Sequence, residues 1–340
     1  MSITICNRYI DDCTNPLVIA EVGINHGGDF DKAVQMIHDA KNAGCECVKF
    51  QCHVVDDEMI YNEIVPANAT ETIWNMMKRC SFNKEQDVRL KQIVEDYGMI
   101  YLCTPFSRAA ADRLESLNVG AYKIGSGECN NYPLVKHIAS FKKPVILSTG
   151  MNNIASIKAS IQMLEGCQVA IMQCTSMYPT PYAKVNLNGI LEIKEEFPNH
   201  VVGLSDHSLE NYTCYGAVAL GARILEKHYT SSMDWSGPDI PISVTPDKLH
   251  ELITGCNAIR EAMGKGKNIL KEEQPTIDFA YASVVSTKNI KTGDTFDKNN
   301  TWVKRPGTGQ IHAKFYEQIL GKAASCDIAK NEQIKWTDIT

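Results

Sequence analysis

The sequence predicts an α/β protein: a (β/α)8 TIM barrel over residues 1–265, a linker at 266–280 and a small β-rich domain over 281–340. Three observations carry this reading. Eight short apolar runs alternate with helix-period segments through the first part of the chain, the number of strands such a barrel needs. Polar and charged residues gather at or just beyond the ends of these runs, at the rim where barrel enzymes build their sites. Beyond Met263 the pattern breaks into Gly-Lys-Gly-Lys, a polar stretch at 271–276, and short β-rich pieces. A doubly wound open sheet would show the same alternation, since strand count does not prove closure.

The expected strands are Leu17–Val22, Glu46–Phe50, Met99–Cys103, Ala121–Ile124, Pro144–Leu147, Val169–Gln173, Val201–Leu204 and Arg223–Glu226. After the first, Ala33, Met36, Ile37 and Ala40 recur at spacings of three and four, one apolar stripe of a helix, and Gly44 is its expected stop. A second helix is expected from Lys84 to Tyr97, and a third from Ser107, a good N-cap, to Leu117. The stretch Cys52–Asn83 is long for a βα connection, and long loops at this rim usually bind or cover ligands. In the tail, Ala-Ser-Val-Val-Ser-Thr reads as a strand and Lys-Thr-Gly-Asp as a turn. A domain of this size has little core of its own and is expected to dock on something larger.

A net charge of −6 offers no basic face for nucleic acid. No apolar run approaches the ~20 residues needed to cross a bilayer. The opening Met-Ser-Ile-Thr-Ile-Cys-Asn-Arg lacks the apolar core and cleavage site of a signal peptide. The 13 cysteines include no Cys-x-x-Cys, so reduced thiols in a cytoplasmic protein are expected.

The strand ends collect reactive groups. Glu21 and Asn25 follow the first, Lys49 and Gln51 the second, Thr104 the third. Lys123, Ser126 and Glu128 follow the fourth, Ser148 the fifth, and Thr175, Ser176 and Tyr178 the sixth. Ser205 and His207 end the seventh, His228 the eighth. A histidine alone is as readily a hydrogen-bonded core residue. Two at adjacent strand ends suit a catalytic divalent ion that keeps open positions. Asp206 and Glu226 are weaker candidates for outer partners, because neighbours along a strand face opposite ways. Lys49 and Lys123 admit three roles: structural pairing with a carboxylate such as Glu21, Schiff-base chemistry, or binding a small dianion together with nearby hydroxyls. The hydroxyls favour the last.

Seven motifs in order carry a family resemblance: Val-Lys-Phe-Gln (48–51), Thr-Pro-Phe-Ser (104–107), Tyr-Lys-Ile-Gly-Ser-Gly-Glu (122–128), Leu-Ser-Thr-Gly-Met (147–151), Gly-Leu-Ser-Asp-His (203–207), Glu-Lys-His (226–228) and Ser-Gly-Pro-Asp (236–239). Together they resemble the bacterial sialic acid (N-acetylneuraminate) synthases over essentially the whole chain. The tail, with Val-Lys-Arg-Pro-Gly (303–307), looks like their C-terminal antifreeze-like (SAF) domain.

The resemblance implies condensation of phosphoenolpyruvate with N-acetylmannosamine, an N-acylated hexosamine, with release of phosphate. It implies a divalent metal, typically Mn2+, with Mg2+ or Co2+ as alternatives, on His207 and His228. Lys49, Thr104, Lys123, Ser126, Ser148 and Ser205 would hold phosphoenolpyruvate, and Gln51, Asn68, Tyr178 and Asp239 the sugar, with Ser176 beside them. Arg305, with Phe279 nearby, would reach the N-acyl group of a partner subunit's sugar in a domain-swapped homodimer. Glu21 is the first candidate for handling protons or stabilising a cation, and Glu128 the second. One departure bears on the acceptor. Cys-Thr-Ser (174–176) and Lys-Phe-Gln (49–51) also occur in relatives that make legionaminic acid from a 2,4-diacetamido-2,4,6-trideoxy sugar, whereas Gly-Glu-Cys-Asn-Asn-Tyr-Pro (127–133) looks like the neuraminate branch. A Schiff-base aldolase and a non-catalytic sugar-binding protein are the remaining alternatives.

Overall fold

The computed structural model describes residues 1–340 as two compact units, Met1–Gly264 and Lys265–Thr340. The first begins with a hairpin absent from the sequence reading, β1 (Ser2–Ile5) paired antiparallel with β2 (Arg8–Asp11). Eight parallel strands follow: β3 (Leu17–Gly23), β4 (Cys47–Cys52), β5 (Ile100–Pro105), β6 (Tyr122–Ile124), β7 (Val145–Ser148), β8 (Val169–Cys174), β9 (Val201–Asp206) and β10 (Ile224–His228). Their order is β5-β4-β3-β10-β9-β8-β7-β6, and the end strands β5 and β6 lie against each other at a seam without a ladder. This nearly closed cylinder is the expected TIM barrel, and each strand falls within two residues of its expected bounds.

The helices form where the apolar stripe and caps direct them. Helix Phe30–Asn42 buries Ala33, Met36, Ile37 and Ala40, and Asp29 caps it by accepting from the amides of Asp31 and Lys32. Gly44 takes the positive φ of +85° that ends this helix cheaply only at glycine. Ser107 caps helix Arg108–Ser116, as expected.

Two apolar layers result. Outward-facing Val18, Ala20, Val48, Phe50, Leu204 and Leu225 pack under the helices. Inward-facing Leu17, Ile19, Cys47, Leu102, Ile146, Met172 and Ile224 fill one end of the barrel, where Ile3, Ile5 and Ile10 of the hairpin close it. Each fully buried isoleucine there contributes roughly 1.5–3 kcal/mol. Filling one end with hydrocarbon leaves the C-terminal rim for polar groups.

The long connection after β4 contains helices Val55–Glu58 and Ile73–Cys80. The second unit pairs β11 (Ser283–Ser286) antiparallel with β12 (Thr301–Lys304). It has its own buried cluster of Val284, Ile290, Phe296, Ile311, Ile319, Ile328 and Ile334. The segment 266–280 is grouped with this unit and carries a helix at Gln274–Ala280.

Candidate active site

The strand period of two decides which groups meet inside the barrel. Continuing inward from Ile19, Cys47 and Ile224 are Glu21, Lys49 and Glu226, then Gln51 and His228. Register places Lys49 and His228 on either side of Glu21, and Glu226 opposite Ser205. These residues line one cavity of about 440 Å3 at the C-terminal rim.

Two buried lysines and two buried carboxylates form its floor. Lys49 Nζ lies 2.8 Å from Glu21 Oε2 and 3.7 Å from Glu226 Oε1, and donates to Thr104 Oγ1 at 3.1 Å. Lys123 Nζ lies 3.5 Å from Glu226 Oε1 and donates to Ser148 Oγ at 2.7 Å, while Ser205 Oγ donates to Glu226 Oε1 at 3.0 Å. Burial pushes the Glu21 carboxyl up against the pull of Lys49. Burial also works against the Glu226 carboxylate, but Lys123 and Lys49 outweigh it and hold its pKa below the ordinary range. Burial opposes the Lys49 ammonium too, and there Glu21 and Glu226 prevail and raise it, whereas burial dominates at Lys123 and lowers it.

A hydroxyl cradle adjoins the lysines. Ser126 Oγ accepts from the Gly150 amide at 3.0 Å, and a Cβ on Gly150 would collide with the Ser126 and Ser176 hydroxyls. Glu128 stands above, its Oε2 buried without a hydrogen-bond partner, and burial pushes its carboxyl up to about 7.

The two histidines face each other with ring centroids 5.4 Å apart, and the Tyr178 ring lies 4.3 Å from that of His207, tilted by 45°. His207 Nδ1 donates to the Thr175 carbonyl at 3.0 Å, which leaves Nε2 as the nitrogen available to a ligand. Burial works against its charged form, but the nearby Cys174 thiol and that carbonyl outweigh it and raise its pKa. Burial drives the His228 pKa well below its ordinary value, and its buried Nδ1 has no hydrogen-bond partner. Asp239 Oδ2 lies 3.8 Å from that nitrogen. Two facing imidazoles, one with a buried unsatisfied nitrogen, fit the donor set of an open divalent-metal site. No group of three or more His, Cys, Asp or Glu forms a closed cage.

Fifteen expected positions line this cavity: Glu21, Lys49, Gln51, Asn68, Thr104, Lys123, Ser126, Glu128, Ser148, Ser176, Tyr178, Ser205, His207, His228 and Asp239. Phe279 and Arg305 belong to the second unit, where the guanidinium lies 5.5 Å from the Phe279 ring centroid.

The weak pair Asp206 and Glu226 separates. Asp206 faces outward and meets Lys227 at 2.6 Å, whereas Glu226 enters the cavity. Spacing held the signal, since Glu226 is two residues from His228 and therefore shares its face. His53 was missed although it continues the same alternation after Lys49 and Gln51. Glu58, Phe106 and the apolar wall of Ile73, Met76 and Met77 were missed as well.

A barrel that gathers buried lysines, carboxylates, hydroxyls and two free imidazole nitrogens at its C-terminal rim is a TIM-barrel enzyme. The NeuB family model matches residues 36–268 and the SAF domain model residues 281–340. The chain is 35% identical to the N,N'-diacetyllegionaminic acid synthase of Campylobacter jejuni, over 94% of this chain and 98% of that one. It is 30% identical to the human N-acetylneuraminate-9-phosphate synthase, over 89% and 87%. The crystal structure of the N-acetylneuraminic acid (sialic acid) synthetase of Leptospira borgpetersenii, in complex with citrate, superposes with a TM-score of 0.75 at 31% identity, over 82% of this chain and 95% of that one. The chain belongs to the NeuB family.

Proposed function

We propose that the protein condenses phosphoenolpyruvate with the open-chain aldehyde of N-acetylmannosamine and water, giving N-acetylneuraminate and phosphate. The carrying observation is the charge balance of the floor. Lys49 and Lys123 are already matched by Glu21 and Glu226, so a multiply charged anion in this buried site calls for further positive charge. The adjacent imidazoles of His207 and His228 would hold a divalent ion, Mn2+ by family resemblance. When bound, the ion would supply Lewis acidity to a carbonyl oxygen.

The chain's own groups account for the rest. Lys49, Lys123 and the hydroxyls of Thr104, Ser126, Ser148 and Ser205 orient the phosphate and carboxylate. Carbon 3 attacks the aldehyde carbon as the enol π pair forms the new bond, the carbonyl π pair moves onto the aldehyde oxygen, and carbon 2 becomes cationic. The Glu21 carboxylate stabilises that cation. Water adds to carbon 2 and gives one proton to a carboxylate, Glu21 or Glu128, which returns it to the new sugar alkoxide; the second leaves with the phosphate. The tetrahedral intermediate then breaks its C–O bond to expel phosphate and form the ketone. Gln51, Asn68, Ser176, Tyr178 and Asp239 meet the sugar, with Arg305 and Phe279 contributed by a second subunit in a swapped dimer.

A second acceptor, 2,4-diacetamido-2,4,6-trideoxymannose, is favoured by one observation. Ile73, Met76 and Met77 give the cavity an apolar wall that a 6-methyl group would cover better than a hydroxymethyl. The test is phosphate release from phosphoenolpyruvate with Mn2+, comparing the two sugars. Release with neither sugar overturns the proposal, and full activity in excess chelator overturns its metal. Borohydride trapping of a substrate on Lys49 or Lys123 would point to an aldolase instead.

A further inference from the structure

We infer that His53 and Glu58 form a positioning dyad that locks the Gln51 amide so that the cavity presents a hydrogen-bond donor to the acceptor sugar. The inference rests on the reaction proposed above.

The network is continuous and mostly buried. Gln51 Nε2 donates to Glu21 Oε1 at 2.9 Å, and Gln51 Oε1 lies 3.1 Å from His53 Nε2. His53 Nδ1 lies 2.7 Å from Glu58 Oε2, and these two side chains are 3% and 11% exposed. The His53 ring also stacks on Phe106, with centroids 4.5 Å apart and planes at 12°. Gly23, at φ +54° beside the β-bulge of β3, leaves room for this arrangement: a Cβ there would come within 3.2 Å of both Gln51 Nε2 and Glu21 Oε1.

An amide side chain alone turns over at little cost, because its oxygen and nitrogen have nearly the same shape. Here each end has a fixed neighbour. A flipped Gln51 would set its carbonyl oxygen against the Glu21 carboxylate and its NH2 against the His53 N–H. Glu58 makes the second restraint work. As the imidazolium of an ion pair with the Glu58 carboxylate, His53 donates from both nitrogens, from Nδ1 to Glu58 and from Nε2 to Gln51. The amide then has one N–H that no protein group uses, on a side chain that lines the cavity. Its natural partner is a hydroxyl or amide oxygen of the sugar, while phosphoenolpyruvate remains with the lysines.

The experiment compares His53→Phe, Glu58→Ala and Glu58→Gln in the full chain, with both KM values measured by phosphate release. His53→Phe keeps the stack on Phe106 and removes the hydrogen bonds. Glu58→Ala frees the ring to take the other tautomer. Glu58→Gln can turn its NH2 toward Nδ1, which again leaves the proton on Nε2. His53→Phe and Glu58→Ala are expected to raise the sugar KM on the order of tenfold, as for one lost buried hydrogen bond. The phosphoenolpyruvate KM should stay within about twofold, and Glu58→Gln should return the sugar KM to within about threefold of wild type. A parallel rise in both KM values, an unchanged sugar KM in His53→Phe, or a Glu58→Gln no better than Glu58→Ala overturns the inference alone. A wild-type protein that releases no phosphate with either sugar overturns the reaction and the inference with it.

Discussion

Lys49 and Glu21 sit opposite each other in the β3–β4 register with Nζ and Oε2 2.8 Å apart, both out of contact with solvent. A buried pair of this kind contributes little net stability, because desolvation offsets most of the attraction. Its value lies in holding two charged groups at a place where water would otherwise be. With Lys123 and Glu226 it makes a floor that is neutral overall yet locally strongly polarised, which suits a reaction that gathers an anion and passes through a cation.

Glu21→Gln keeps the shape of the side chain and removes one of the two floor carboxylates. Two buried ammonium groups then share Glu226. The variant is expected to lose up to about 3–5 kcal/mol of stability, the range for breaking a buried pair, and turnover should fall by about 10²- to 10⁴-fold. Denaturant midpoints and single-turnover phosphate release measure the two effects. A midpoint equal to wild type would contradict the ion pair.

Glu128 should imprint a pH dependence on folding. Its carboxyl titrates at about 7 in the fold against an ordinary value of 4.5, because burial disfavours the charged form. Between those values the folded protein binds more protons than the unfolded chain. The Glu128 contribution is therefore favourable below pH 4.5 and is lost progressively as pH rises to 7. Glu128→Gln should remove that part of the slope. The check is the difference between wild-type and variant melting temperatures across pH 5–8, and a constant difference would contradict the raised value.

Ile5→Ala tests the closed end of the barrel. Ile5 is fully buried among inward-facing strand residues, and truncating it leaves a cavity expected to cost about 2–5 kcal/mol. Turnover at low temperature should remain near wild type because the rim is at the other end of the strands. Chemical denaturation alongside an activity assay separates the two.

The hairpin that carries Ile5 also marks where sequence reading stopped. Strands β3 to β10 were legible because residues buried on both faces produce apolar runs, and helix Phe30–Asn42 because its stripe repeats at 3.6. The pattern Ser-Ile-Thr-Ile in β1 alternates too, but nothing in it says that the barrel interior is its partner. Rim residues were legible because they follow apolar runs. His53 continues an alternation rather than ending a run, Glu226 needed its two-residue spacing from His228 to set its face, and Glu58 reaches the cavity only through the fold of the long β4 connection.

Arg305→Ala addresses the second unit. Its guanidinium lies over the Phe279 ring, a contact that orients a planar cation. If it reaches the sugar of a partner subunit, the variant should raise the sugar KM by at least about tenfold and leave the phosphoenolpyruvate KM unchanged. Mixing Arg305→Ala with an inactive barrel variant should restore part of the activity through hybrid dimers. Absence of any such complementation would place Arg305 outside the swapped arrangement.

His207→Ala and His228→Ala test the proposed metal centre from the protein side. Each removes one of the two imidazoles that face each other across 5.4 Å. With only two protein donors, loss of either leaves a site too poor to hold a divalent ion at micromolar concentration. Both variants should lose turnover and bind Mn2+ at least about 10²-fold more weakly, as titration calorimetry would show in the absence of substrate. Folding of His228→Ala should change little, because its Nδ1 makes no hydrogen bond that the protein would lose, whereas His207→Ala also gives up the bond to the Thr175 carbonyl, worth about 1 kcal/mol. His228→Ala should gain stability relative to wild type at low pH: the His228 pKa lies well below 6.5 in the fold, so the unfolded chain takes up a proton that the native protein refuses, and wild-type stability falls with pH below 6.5. Wild-type Mn2+ affinity retained in both variants would remove the metal from these residues.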